Sequence, residues 1–285
     1  MLTVVQSVYN RNPLISLSTQ ASMLSLDSLG IEYQYIMYND AGDKDILDDL
    51  PSHIKEHANF EYHYSDFNYG YGTAPGGFVG VIDLIKYPYI HQSNQDDFYT
   101  PSFYSLSLKH LLSSDETVAA VCSNCYHVDE EFEISAIPLS LDEKQMNKAW
   151  SDPNYMFDWM FGINDKKLTR ANNFIYNPGT VYKKELYSTI GKPDIPSFRG
   201  SMDFEFWARA VFNGYKFRYL ALPTWSYMKS EFSHSAIEAK KEGGDDRHNI
   251  YNPRIMQKYQ TLWQENNYRV RTSPKITENT YWENK

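Results

Sequence analysis

Tyr89-Ile90-His91-Gln92-Ser93-Asn94-Gln95-Asp96-Asp97-Phe98-Tyr99-Thr100-Pro101 is the stretch whose reading decides the fold. Tyr89 to Ser93 is long enough for a strand, and the polar cluster 94–97 stops it. Pro101 then opens a helix through Leu112, since proline is tolerated in a first helical turn. Strand, acidic turn and helix in succession are the unit of an α/β protein. In such sheets ligands sit beyond the carboxyl ends of the strands. Two adjacent carboxylates at that position repel unless a cation or solvent offsets them.

Working outward, the same unit recurs. Leu2 to Tyr9 predicts a buried strand, broken by Asn10-Arg11-Asn12-Pro13 and followed by a helix over Leu14 to Leu29. Tyr33 to Tyr38 predicts a second strand, closing on Asn39-Asp40-Ala41-Gly42, then a helix over Asp45 to His57 that Pro51 must interrupt. Phe60 to Tyr64 reads as a strand, Gly76 to Tyr87 as a helix, and Val118 to Val128 as a strand. Strand followed by helix, four times over, predicts a mostly parallel sheet covered on both faces.

Residues 129–172 are polar with scattered aromatics, Trp150 and Trp159 among them, and show no clean period. They are expected to form a long irregular excursion that shapes specificity. Order returns with a strand over Phe174 to Tyr182, helices around Lys184 to Ile190 and Asp203 to Asn213, and a strand over Tyr215 to Leu220. The tail after Thr272 reads as loose.

Composition narrows the function. The formal net charge of −9 over 285 residues argues against a chain built to hold a polyanion. The balance is uneven, with Lys229, Lys240 and Lys241 in a more basic C-terminal segment. Aromatics make up 16% of the residues, which suits sugar stacking and core packing alike. Cys122 and Cys125 are the two cysteines, too few for a disulfide framework. No run approaches the ~20 apolar residues of a membrane span. A soluble, cytoplasmic protein is expected, with peripheral membrane association left open.

Taken in order, these pieces carry a resemblance. The chain resembles a family 2 glycosyltransferase of the GT-A fold over residues 3–235. The residues that carry it are Tyr9-Asn10-Arg11 after the first strand, Asn39-Asp40-Ala41-Gly42 for the Asp-Asp-Gly-Ser turn, and Asn68-Tyr69-Gly70 with Ala74-Pro75-Gly76 for the next element. Asn94-Gln95-Asp96-Asp97 stands for the metal motif, and Met202-Asp203-Phe204-Glu205-Phe206-Trp207-Ala208-Arg209, then Gly214, for the late acidic element. The departures are Asn39 and Asn94 in place of acids, Pro75-Gly76 in place of Arg-Asn, and Met202 where an acid is common.

The resemblance implies a single α/β GT-A (Rossmann-like) domain over 1–228, with a nucleotide-binding half (1–128) and an acceptor and catalytic half (129–228). Residues 229–285 would be a C-terminal extension, partly a flap. It implies metal-dependent, inverting transfer of a sugar from a nucleoside diphosphate donor, a UDP-sugar favoured, to a saccharide or other hydroxyl acceptor. Tyr9, Asn10, Arg11, Asp40, Asn68, Gly70, Asn94 and Asp96 would meet the nucleotide. Asp96, Asp97 and His234 would hold Mn²⁺ or Mg²⁺, with the division between the two aspartates left open. Asp203 would be the general base, or else the cap of its helix, and Glu205 would orient the site or face solvent. A sugar nucleotidyltransferase and a non-catalytic carbohydrate-binding protein are the rival readings.

Two further motifs lead elsewhere. His53-Ile54-Lys55-Glu56-His57 has the spacing of some zinc peptidases, but its setting reads as a surface helix. Cys122-Ser123-Asn124-Cys125 lacks the second pair that zinc would want, and reads as buried thiols.

Overall fold

The computed structural model describes residues 1–66, 80–137, 142–229 and 247–272. Its centre is a curled sheet. Strands β1 (Leu2–Val8), β2 (Tyr33–Asn39), β3 (Phe60–Tyr64) and β4 (Tyr89–Ser93) run parallel in the spatial order β3-β2-β1-β4. All seven side chains of β1 and of β2 are buried, as expected for strands covered on both faces. Beyond β4 the sheet continues through β10 (Thr180–Lys183), β6 (Val118–Val128) and β11 (Lys216–Met228) to the two-residue β5 (Phe98–Tyr99). Here β10 and β5 are antiparallel to their neighbours, while β6 and β11 are parallel to each other. A short strand β7 (Ile134–Ala136) pairs with the end of β6, and β8 (Ile163–Asn164) with β9 (Lys167–Leu168) forms a separate ribbon.

Each face of the sheet carries its own core. On one side α1 (Ile15–Asp27) and α3 (Pro101–Ser113) cover Val4, Val121, Val181 and Trp225. Residues Ser52–Lys55 form the short α2 at the edge. The other core is larger and rich in aromatic side chains. It is built by α4 (Glu143–Trp150), α5 (Pro153–Phe161), α8 (Met202–Phe212) and α9 (Asn252–Glu265), with the single-turn α6 (Leu186–Thr189) and α7 (Ile195–Phe198) leading into α8.

Several sequence expectations change here. The helix over Asp45 to His57 is a 3₁₀ segment, Lys44–Asp49, and the four-residue α2, because Pro51 separates them in extended conformation. The helix over Gly76 to Tyr87 lies partly outside the described residues, and from Gly80 on the chain makes only the 3₁₀ turn Ile82–Leu84. The strand over Phe174 to Tyr182 starts at Thr180, since Asn177-Pro178-Gly179 form a 3₁₀ turn. The last strand runs on to Met228, passing an irregularity between Leu220 and Trp225 that contains Pro223.

The excursion is not irregular. Asp142 caps α4 by accepting from the backbone N–H groups of Lys144 and Gln145, and Asp152 caps α5 with Pro153 in its first turn. Trp150, in the segment expected to shape specificity, is fully buried against Phe174 and Tyr219 at 5.5 and 5.4 Å between ring centroids. Trp159 is half-buried on Phe174. The C-terminal segment is likewise more than a flap. Ile255, Tyr259 and Trp263, at spacings of four, bury one face of α9 against Phe157, Phe161 and Phe212. Gly214 ends α8 at φ +84, with the carbonyl of Arg271 at 2.6 Å from where a Cβ would stand.

Candidate active site

The carboxyl ends of β1, β2 and β4 lie side by side, with Val8 opposite Asn39 and Gln6 opposite Ser93. Tyr9, Asp40 and Asp96 therefore leave the sheet at one edge. Asp40 is fully buried, and its N–H donates to the Val8 carbonyl at 3.0 Å. The turn behind it is tight. A Cβ on Gly42 would stand 1.2 Å from the Tyr9 carbonyl oxygen, so only glycine fits. That same carbonyl accepts the Asp43 N–H at 2.9 Å.

Asn39, where the family pattern has an acid, braces this turn. Its amide nitrogen donates to the Asp43 carbonyl and the Tyr62 hydroxyl, while its oxygen accepts the Gly42 N–H. A carboxylate could do only the last of these. Arg11 is committed locally, with its Nε 3.0 Å from Asp49 and its backbone N–H donating to Asp43. Asn10 is exposed.

The loop after β4 is pinned from two sides. The Gln6 amide and the Ser18 hydroxyl of α1 donate to the carbonyls of Asn94 and Gln95. Asn94 in turn donates to Asp97 Oδ2 at 2.8 Å, and the Met228 N–H donates to Asp97 Oδ1 at 3.0 Å. Asp97 is fully buried with both oxygens engaged, whereas Asp96 is mostly buried but keeps some exposure. Burial raises the Asp96 carboxyl to about 6. Burial, then the Asp96 charge, push Asp97 well above its usual value, against the two donated hydrogen bonds. An amide at position 94 meets the buried Asp97 with a donor, where a third acid would add repulsion.

Among the described residues no three His, Cys, Asp or Glu side chains gather as a metal cage. What fits a cation is the pair itself: two neighbouring carboxyls strained by burial and adjacency, one of them partly exposed. Asp97 serves to hold the loop, which leaves Asp96 as the group able to meet an ion. Asn68, Gly70 and His234 lie outside the described residues.

Asp203 is half-buried in the first turn of α8 and does not cap it, because Ser201 occupies that position. Its Oδ1 accepts the Phe204 N–H at 2.7 Å, and its Oδ2 accepts the Asn173 amide at 3.0 Å. With Gln92 of β4, Asn177, Tyr182, Tyr187, Pro193 and Phe206 it lines a narrow crevice, partly open to solvent. Gln92 and Asn177, not singled out in the sequence, are hydrogen-bonded to each other there. Only their neighbourhood to the acidic loop could have flagged them.

Glu205, expected to orient the site or face solvent, does not face solvent. It is fully buried, 2.5 Å from Arg209 and 2.7 Å from Lys258, and accepts the Tyr259 hydroxyl at 3.0 Å. Burial alone would raise its carboxyl, but the two cations outweigh this and hold it below its usual value. This cluster fastens α9 to α8. His53 is exposed and His57 stacks on Tyr33, while Cys122 and Cys125 are buried free thiols.

No protein-family model matches the sequence, and none of the curated proteins does. Solved structures do. Residues 1–349 of S. aureus TarS in complex with UDP-GlcNAc align with a TM-score of 0.52 at 12% identity, covering 82% of this chain and 60% of that one. The same protein in complex with UDP aligns with a TM-score of 0.50 at 11% identity. The mannosyltransferase PcManGT from Pyrobaculum calidifontis, in complex with GDP-Man and Mn²⁺, gives 0.55 at 12% identity over 92% of this chain and 70% of that one. The chain thus spans only about 60% of the TarS fragment. At such identities the likeness concerns architecture, and the architecture is the α/β arrangement of GT-A-type glycosyltransferases.

Proposed function

We propose that this chain transfers a sugar, with inversion, from a nucleoside diphosphate sugar to a hydroxyl acceptor. The observation that carries this reading is the shared role of β4. Its end leads to Asp96 at the same sheet edge as Asp40, which follows β2 on the far side of β1, while its Gln92 lines a crevice with Asp203. Complexes of similarly folded proteins with UDP-GlcNAc and GDP-Man support it.

In this reading residues 1–128 bind the nucleotide, with Asp40 toward the base, and residues 129–228 carry the acceptor side. Asp96 would hold Mn²⁺ or Mg²⁺, which when bound offsets charge on the departing diphosphate. Asp203 takes the proton of the acceptor hydroxyl as that oxygen attacks the anomeric carbon. Asn173 and the Phe204 N–H hold the two carboxylate oxygens meanwhile.

The test is a screen of UDP- and GDP-sugars with manganese, scored by the phosphorus product. Release of nucleoside diphosphate that Asp203→Asn abolishes supports transfer. Pyrophosphate release would instead indicate a nucleotidyltransferase, and no release from any donor a binding protein.

A further inference from the structure

Near the end of β11 the side chains alternate between the two faces of the sheet. Tyr99, Cys125 and Trp225 point into the core under α1 and α3, with Tyr99 stacked on Trp225 at 5.8 Å between ring centroids. Phe98, Ser226 and Tyr126, the next row, are paired across β5, β11 and β6 and so share the opposite face. All three are partly exposed. A serine flanked by two aromatic residues on neighbouring strands makes a shallow trough in that face.

A third ring closes one side. Phe132 is half-exposed and meets Phe98 edge to face at 5.6 Å between centroids. Its φ is +63, a region that residues with side chains rarely occupy. The turn that imposes this is well tied: one Asp129 carboxylate oxygen accepts the N–H groups of Glu131 and Glu133 at 3.1 and 2.8 Å, and the Asp129 carbonyl accepts that of Phe132. A strained backbone that holds an aromatic ring half in water costs stability, and such strain gathers where a ligand is held.

The row adjoins the site. Phe98 follows Asp97, and Met228, just past Ser226 and Tyr227, donates its N–H to Asp97. It also lies on the face that carries the Asp203 crevice. Val181 of β10 pairs with both His91 and Val121, so Gln92 of the crevice is level with Cys122. Tyr126 is then roughly 13 Å further along the strands and about 10 Å across them.

We infer that Phe98, Tyr126 and Phe132, around Ser226, bind a saccharide, with the apolar face of one sugar ring laid on the row. The exposed Glu130, Glu131 and Glu133 belong to the same turn. Carboxylates accept hydrogen bonds from sugar hydroxyls, and they repel an anionic membrane surface, which makes a bilayer the poorer occupant. On the transfer reading above this sugar is a unit of the acceptor, some way along from the one at Asp203; its binding does not depend on that reading.

The experiment places 4-fluorophenylalanine at position 132 of the full chain and follows it by fluorine NMR. The titrants are cellobiose, lactose, mannobiose and N,N′-diacetylchitobiose, with trilysine as the cationic rival. The expected result is a saturable shift with at least one disaccharide. Ser226→Leu, which fills the trough, and Tyr126→Ala, which removes one wall, should each bind that sugar about tenfold more weakly. Both positions are partly exposed, so melting temperatures should barely move. The inference is overturned if no disaccharide moves the signal, if Ser226→Leu binds as tightly as the unsubstituted chain, or if trilysine shifts the signal and the sugars do not. The first titration does not depend on any variant folding. Binding without nucleoside diphosphate release from any donor would sink the transfer reading and leave this one standing; release without binding would do the reverse.

Discussion

Asp97 accepts the backbone N–H of Met228 at 3.0 Å, joining the loop after β4 to the end of β11 across 131 residues of sequence. Its neighbour Asp96 makes no such tie, so the two acids should separate in experiment. Asp97→Ala leaves the Met228 N–H and the Asn94 amide unpaired, a loss of roughly 1–3 kcal/mol. Asp96→Ala removes a carboxyl that burial raises to about 6, so melting at pH 7 should hold or rise. Calorimetry should find manganese-dependent binding of UDP or GDP abolished in Asp96→Ala. Equal affinity with manganese and with EDTA in the wild type would refute a metal at this position.

Asp203→Asn preserves size and can still accept from Phe204, but it cannot take a proton. Turnover should fall about 10²–10⁴-fold, with donor affinity and melting temperature nearly unchanged. Retained activity would remove Asp203 from the chemistry.

Glu205→Gln should behave in the opposite way. Neutralising it strands Arg209 in a buried site, which costs on the order of 3–5 kcal/mol, with loss of activity only in proportion to unfolding. The folded-state value of this carboxyl is depressed, so its contribution is present above about 4.5, its ordinary value, and is lost as pH falls through the lowered one. Urea unfolding of wild type and variant should therefore differ fully at pH 6 and converge as pH drops below about 4.5. A difference that does not depend on pH would mean the ion cluster is not what Glu205 contributes.

Gly42→Ala places a methyl group on the Tyr9 carbonyl oxygen. The clash involves backbone on both sides, so the cost should reach the upper end of the roughly 1–3 kcal/mol typical of overpacking. Nucleotide binding should weaken with it, because Tyr9 and Asp40 share that turn. Urea denaturation and a nucleotide titration check both parts.

The parallel half of the sheet was legible because β1 and β2 are short runs dominated by aliphatic and aromatic residues, and each strand, β4 included, is stopped by Asn, Asp or Pro. The helices of the excursion escaped because periodicity is a weak guide over eight or nine residues. Their caps, Asp142 and Asp152-Pro153, were the clearer signal. Helix α9 was missed although Ile255, Tyr259 and Trp263 recur every four residues after Pro253. The basic charges around it drew the reading toward a mobile flap. At the site, Asp203 and Glu205 look alike in sequence, and what separates them is the pairing of Glu205 with Lys258, 53 residues away. Asn39 and Asn94 read as losses from a family pattern, yet each donates hydrogen bonds that the acid could not.

The aromatic faces of α5 and α8 find their cover in Tyr259 and Trp263. A chain emerging from the ribosome makes that cover after every strand of the sheet. Until then Phe157, Phe161 and Phe212 have no lid, and the nascent protein presents a greasy, incomplete half to its surroundings. Chaperone dependence should therefore be greatest for ribosome-bound chains stalled before Asn252, and should fall sharply once the residues through Trp263 are free of the exit tunnel.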